Sequence, residues 1–211
     1  MSGLGKINGP VTIAPGSPTH DADTVNGEIT VEAGAHAGRA HTVNGSIRIG
    51  KDASTGEAVT VNGGIELDEK AQAAAATTVN GGIRLAAGAL IAGNATSVNG
   101  GIELAPGSRV GGRVTNVAGT ISLDHAQVDG GITTAAGDVT IGTGSTVRGG
   151  IHVVKPRGAI ISDTRKPRIR IETGASVEGT LQFDREVDLQ VAPGAKIGTV
   201  VGATAQSWSG P

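Results

Sequence analysis

The sequence predicts an all-β, single-domain parallel β-helix: a three-sided β-solenoid with about 18 residues per coil, right-handed in preference to left-handed. Three observations predict it. Val-Asn-Gly recurs at Val25, Val43, Val61, Val79 and Val98, at intervals of 18, 18, 18 and 19, and a fixed period of this size marks stacked repeats. Within one unit, apolar residues fall six apart at Val79, Leu85 and Ile91, dividing each coil into three short strands. Composition agrees: 36 Gly, one Phe, one Trp and no Tyr in 211 residues favour a thin interior of Val, Ile, Leu and Ala over a broad aromatic core.

The array extends beyond its best-matched members. Ile7-Asn8-Gly9 precedes it, and Val117-Ala118-Gly119 and Ala135-Ala136-Gly137 follow it, so regular coils are expected over residues 1–153. Each first strand reads in-out-in, as in Ile83-Arg84-Leu85, because side chains alternate faces. The outward members Thr30, Arg48, Glu66, Arg84 and Glu103 alternate in charge from Arg48 on, which fits neighbours one coil apart, each pair worth roughly 0.2–1 kcal/mol. In this phase Val points inward, Asn opens the corner, and Gly turns it by accepting positive φ. Thr24, Thr42, Thr60, Thr78 and Ser97 then form an outward hydroxyl ladder, beside a structural ladder of Asn26, Asn44, Asn62, Asn80 and Asn99. Helix is disfavoured by Gly at the corners and β-branched residues in the beats.

The rhythm lapses at "VKPRGAIISDTRKPR", residues 154–168, a loop excursion carrying Lys155, Arg157, Arg165, Lys166 and Arg168 against the single acid Asp163. Insertions into solenoids lie outside the packed stack and often on a binding face, so these five cations are the candidate partner-binding residues. An anionic envelope component or an acidic protein is the partner they suit. Final coils are expected over 169–203, and a tail or cap over 204–211, with Trp208 covering the open end of the core, since an uncovered end is a pairing-competent sheet edge.

"VDGGITTAAGDVTIGTGSTVRGGI" and "IETGASVEGTL" resemble the bactofilins, bacterial polymer-forming cytoskeletal proteins with a triangular parallel β-helix. The tandem "TVNGGI" units resemble uncharacterised bacterial VNG-repeat proteins of the adhesin type, often exported, some sharing a "KP" loop followed by "EGTL.F.REV". The resemblance covers about residues 5 to 203. It implies a noncatalytic structural or interaction scaffold of the cell envelope or cytoskeleton, with self-association in the bactofilin-like alternative, a cytoplasmic polymer.

Other classes find less support. The absence of cysteine rules out disulfides and thiolate metal sites, and a formal net charge of −2 gives no general affinity for nucleic acid. With no apolar run of about 18 residues, no transmembrane segment is expected. A cytoplasmic location follows for the chain as it stands, and a periplasmic or other extracytoplasmic one if an export signal has been removed. The six-residue rhythm is similar to that of hexapeptide acyltransferases, which would make His152, beside Lys155 and Arg157, a general base; no second catalytic partner is evident in the sequence. His20, Asp21 and Asp23 are weak metal candidates, and His36, His41 and His125 are scattered. A Thr ladder would suit an ice-binding solenoid. No catalytic residue, cofactor or metal ligand is therefore assigned.

Overall fold

Short alternating apolar runs ending in Gly become strands of two to nine residues in the computed structural model, which describes residues 4–155 and 165–208. The chain is all-β, and its parallel strands stack as a β-solenoid of about 11 turns. First strands form one 11-stranded sheet running from Val11–Ile13 to Gln206–Ser207. Its register aligns Ile29, Ile47, Ile65, Ile83 and Ile102. Ile83 and Leu85 are buried and Arg84 is exposed, the alternation that a half-solvated strand requires.

Second and third strands belong to one 17-stranded sheet. From Ile83 onward a coil has three sides, Ile83–Leu85, Leu90–Ile91 and Ala95–Asn99. The two preceding coils differ. Ser54–Asn62 and Gln72–Asn80 each run straight through the place of the second corner. The reason lies in the interior: the column that holds Thr55 and Ala73 continues as Ile91, Val110, Val128 and Val147. On the third side, Ala22, Ala40, Ala58, Ala76 and Ala95 give way to Val114, Ile132, Ile151 and Leu181. Small inward residues let two sides flatten together, whereas bulky ones need the wider triangular section to reach native packing density.

The repeated Thr-Val-Asn-Gly unit sits one residue out of the phase expected from sequence. Thr24, Thr42, Thr60, Thr78 and Ser97 are buried, while Val25 is 41% exposed and Val43, Val61, Val79 and Val98 are half-buried. The hydroxyl explains the choice. Thr42, Thr60 and Thr78 donate to the carbonyl oxygens of Gly27, Gly45 and Gly63 on the preceding corner, at 3.0, 2.8 and 2.8 Å. Thr thus offers nearly the shape of Val plus a donor for a corner carbonyl turned away from the strand ladder. Among the described residues no buried side-chain nitrogen or oxygen lacks a partner, as a stable interior demands. Thr60→Val should lower stability by about 1 kcal/mol, the usual net worth of one buried hydrogen bond, as read by denaturant midpoint at unchanged slope.

Asn and Gly complete the corner. Each Asn Nδ2 donates to the Asn Oδ1 one coil before it, from Asn26 on Asn8 at 2.9 Å through Asn44, Asn62 and Asn80 at 2.8 Å to Asn99 on Asn80 at 3.0 Å. Gly27, Gly45, Gly63, Gly81 and Gly100 are required for stacking and not for positive φ: a Cβ on any of them would overlap the carbonyl oxygen of the corner glycine one coil earlier. Left-handed φ recurs in the turn after the first strand, where Gly34, Gly88 and Gly107 share their column with Asp52, Lys70 and His125 at φ 55°, 57° and 46°, and at a few corners such as Gly9 and Gly119.

Two further features depart from the sequence expectation. Val139 aligns with Ile169, 30 residues on, as an excursion between them requires, but Arg168, expected in the loop, already opens the strand Arg168–Ile171. Trp208 does not lie over the core: Gln206–Ser207 extends the first sheet, and the indole stacks 4.4 Å from the Arg170 guanidinium on that sheet's outer face. Such a cation–π contact contributes about 0.5–1 kcal/mol at an exposed site.

Candidate functional site

At the foot of the excursion, three of the five candidate cations face acids on neighbouring coils. Arg165 reaches Asp138 at 2.8 Å, Lys166 reaches Glu186 at 2.8 Å, and Arg168 reaches Asp188 at 3.3 Å. The Lys166–Glu186 hydrogen bond raises the lysine pKa and lowers that of the carboxylate. Asp138 also accepts the Arg168 backbone N–H at 2.8 Å, fixing where the chain re-enters the stack. Lys155 is exposed, and Arg157 lies outside the described residues. These contacts use much of the segment's charge internally.

His152 does have a partner that the sequence concealed. Its Nε2 is 2.8 Å from Asp184 Oδ2, because the excursion places residues 32 apart on adjacent coils. Gln182 donates to the same carboxylate at 3.0 Å, and this bond first, then the imidazole, lowers the Asp184 pKa. The Asp21 and Asp23 carboxylates are occupied: Asp21 accepts the Arg39 backbone N–H at 2.8 Å, and Asp23 pairs with the Arg39 side chain at 3.1 Å. Among the described residues no three His, Asp or Glu side chains cluster to hold a metal. Burial of Thr24, Thr42, Thr60, Thr78 and Ser97 removes the hydroxyl face that an ice-binding ladder needs.

On the first sheet, glycines at 64, 82 and 101 leave a trench of about 470 Å³ walled by Arg48, Glu66 and Arg84. The alternating charges are neighbours in register, as expected, yet only Arg84 pairs within the column, with Glu103 at 2.8 Å; Arg48 turns to Asp68 at 3.1 Å. These wall charges are largely satisfied within the protein.

A different arrangement occurs along the opposite corner of the wide coils. Asp129 binds Arg109 on the coil before it and Arg148 on the coil after it, at 2.5 and 2.8 Å, and accepts Gln127 at 2.6 Å. The Gln127 hydrogen bond, with the two arginines behind it, holds the carboxyl below its ordinary pKa against the opposing effect of burial. Asp129→Asn should therefore cost about 1–2 kcal/mol near neutral pH. Since the folded pKa is depressed, that contribution is present above the unfolded value of about 3.9 and is lost as pH falls through the folded one. Wild-type and variant stabilities should begin to converge as pH falls below about 4 and meet only below the depressed folded pKa; a gap of constant size would assign the loss to packing.

No family model, curated protein or solved structure matches the chain. The site must be read from its own geometry.

Arg113 stands beside the Asp129 cluster. Its backbone N–H is tied to Asn94 at 2.8 Å, but its guanidinium is the one among the described arginines that meets no protein partner. Two adjoining depressions meet at this side chain. One, of about 310 Å³, includes Gly130, Thr133, His152 and Gln182; the other, of about 390 Å³, includes Asn94, Thr96 and Thr115. Gly112, Gly130 and Gly149 carve the floor because a Cβ on any of them would strike the backbone of the coil before. The result is an axial trough with a free cation at its middle and outward hydroxyls at Thr96, Thr115 and Thr133 in register. Sequence reading missed it, since Arg113 looks no different from Arg109 until its neighbours 19 residues away are known. No helix among the described residues is long and apolar enough to cross a membrane.

Proposed function

We propose that the chain is a noncatalytic structural and interaction scaffold of the bacterial cell envelope or cytoskeleton. The observation that supports this is the use of the repeat's polar side chains: Thr, Asn and Gly of each unit bond or stack on the coil before them, so the repeated chemistry builds a rod. Rods of stacked nearest-neighbour units serve as spacers and as extended surfaces. Self-association belongs to the same proposal and would appear as concentration-dependent sedimentation. In cells, a fluorescent fusion should show a slowly exchanging population after photobleaching; rapid full recovery throughout the cell would count against a scaffold.

The His152–Asp184 contact favours a second reading, acyl transfer with His152 as general base oriented by the carboxylate. The open trough offers the imidazole little shielding from water, and the pair also joins adjacent coils. Turnover of acyl-CoA donors that disappears in His152→Ala would establish the second reading over the first.

A further inference from the structure

We infer that the trough around Arg113 binds an acidic polysaccharide, a linear glycan whose carboxylate pairs with the Arg113 guanidinium and whose hydroxyl groups meet Thr96, Thr115 and Thr133. The inference rests on the interaction half of the proposed scaffold role and names its ligand. Charge comes first. Asp129 is occupied by Arg109 and Arg148, and Glu178, next to Val177 in the coil that pairs with Val147, lies alongside Arg148, so with Arg113 three positive charges stand against two negative, a local excess of one. This excess sits in a chain whose formal net charge is −2. The Asp184 carboxylate at the far end of the trough is held by His152 and Gln182 and does not reach for Arg113.

Shape selects the class of anion. The trough runs along the rod axis, and its hydroxyls repeat once per coil, about 4.8 Å apart, a spacing close to that of successive sugar rings in an extended glycan. Gly112, Gly130 and Gly149 bring backbone close to the floor, where sugar hydroxyls find donors and acceptors without a bulky side chain between. Planar guanidinium and carboxylate form paired, charge-assisted hydrogen bonds. A bilayer fits poorly: Arg113 is exposed but offers a single free guanidinium, and surface attraction of that kind needs several basic groups.

The test uses the full chain with polygalacturonate oligosaccharides, dextran of similar length, and phosphatidylglycerol vesicles, each at low and at physiological salt. Arg113→Ala is a clean variant because the guanidinium has no partner to lose among the described residues. Wild type should retain polygalacturonate, more weakly as salt rises, and leave dextran unbound. Arg113→Ala should weaken binding about tenfold, the scale of one charge-assisted contact, and the double variant Thr115→Val/Thr133→Val should weaken it several-fold by circular-dichroism-verified folded protein. Equal affinity of wild type and Arg113→Ala would overturn the proposal. So would equal retention of dextran, or vesicle binding that depends on Arg113 in a protein that ignores polygalacturonate. None of these outcomes alters the photobleaching result, so the scaffold role stands or falls separately.

Discussion

Gly81→Ala is expected to be among the most damaging single-methyl additions in the chain. The new Cβ would overlap the Gly63 carbonyl oxygen, a backbone atom with no rotamer to yield, and that oxygen also receives the Thr78 hydroxyl at 2.8 Å. Relief requires two coils to separate, and both are held by strands on either side. Overpacking of this kind costs about 3 kcal/mol, which for a chain of this size lowers Tm by roughly 6–12 °C. Gly5→Ala is the matched comparison: nothing lies within 4 Å of its added Cβ and its φ is ordinary, so thermal unfolding should be unchanged or slightly later. Equal Tm for Gly81→Ala and wild type would mean that the corners do not stack as closely as described.

Converting three successive members of the amide ladder, Asn44, Asn62 and Asn80, to Asp should produce a comparable loss with a different signature. Three side-chain hydrogen bonds disappear, those donated by Asn44, Asn62 and Asn80, while Asn99 can still donate to a carboxylate at position 80. Carboxylates then face one another about 4.8 Å apart, where each adjacent pair repels by about 1 kcal/mol in water-like dielectric. Together the change should reach about 3 kcal/mol at low ionic strength and shrink as salt screens it. The pH dependence has a definite sign. Stacking raises the folded pKa of each new carboxyl above its unfolded value of about 3.9, so the repulsive penalty is absent below that value and grows as pH rises through the folded one. The triple variant should regain stability on mild acidification, measured against wild type at each pH; a penalty indifferent to both salt and pH would place these side chains out of register.

The period was legible because Asn and Gly recur where backbone must turn and stack, and because apolar residues between the corners fall six apart, as at Val79, Leu85 and Ile91. The inward phase was not. Thr78 and Val79 are adjacent, β-branched and almost equal in volume, so hydropathy favours burying the Val; the acceptor that reverses the choice, the Gly63 carbonyl, lies 15 residues away. Local sequence carries no sign of it. The sequence places glycine at the corners, but it does not distinguish the close approach that Gly27, Gly45, Gly63, Gly81 and Gly100 require from the positive φ of Gly9 and Gly119, because both call for the same residue. Charge was hardest to read. The excursion looks uniformly basic along the chain, yet Asp138, Glu186 and Asp188 come to it from other coils, while Arg113, inconspicuous in "GGRV", is left with an open guanidinium.

The change in interior bulk near Ile91 has a mechanical meaning. Before it, the first side is lined by Ile, Val and Leu but the second and third sides by Ala and Thr, laced by the Asn and Thr bonds; after it, Val, Ile and Leu line these two sides as well, and the ladder stops where Ala118 follows Asn99. Side chains such as Ile132 and Ile151 bury roughly 1.5–3 kcal/mol more apiece than an exposed reference, a reserve that Ala40 or Ala58 cannot match. Since each coil is held only by its neighbours, opening that begins at the amino-terminal edge can proceed one coil at a time through the alanine-lined part and should stall where the aliphatic part begins. Native-state hydrogen exchange would display this as two tiers of protection meeting near residue 91: a rod with a yielding end and a clenched one, able to fray under load without coming apart.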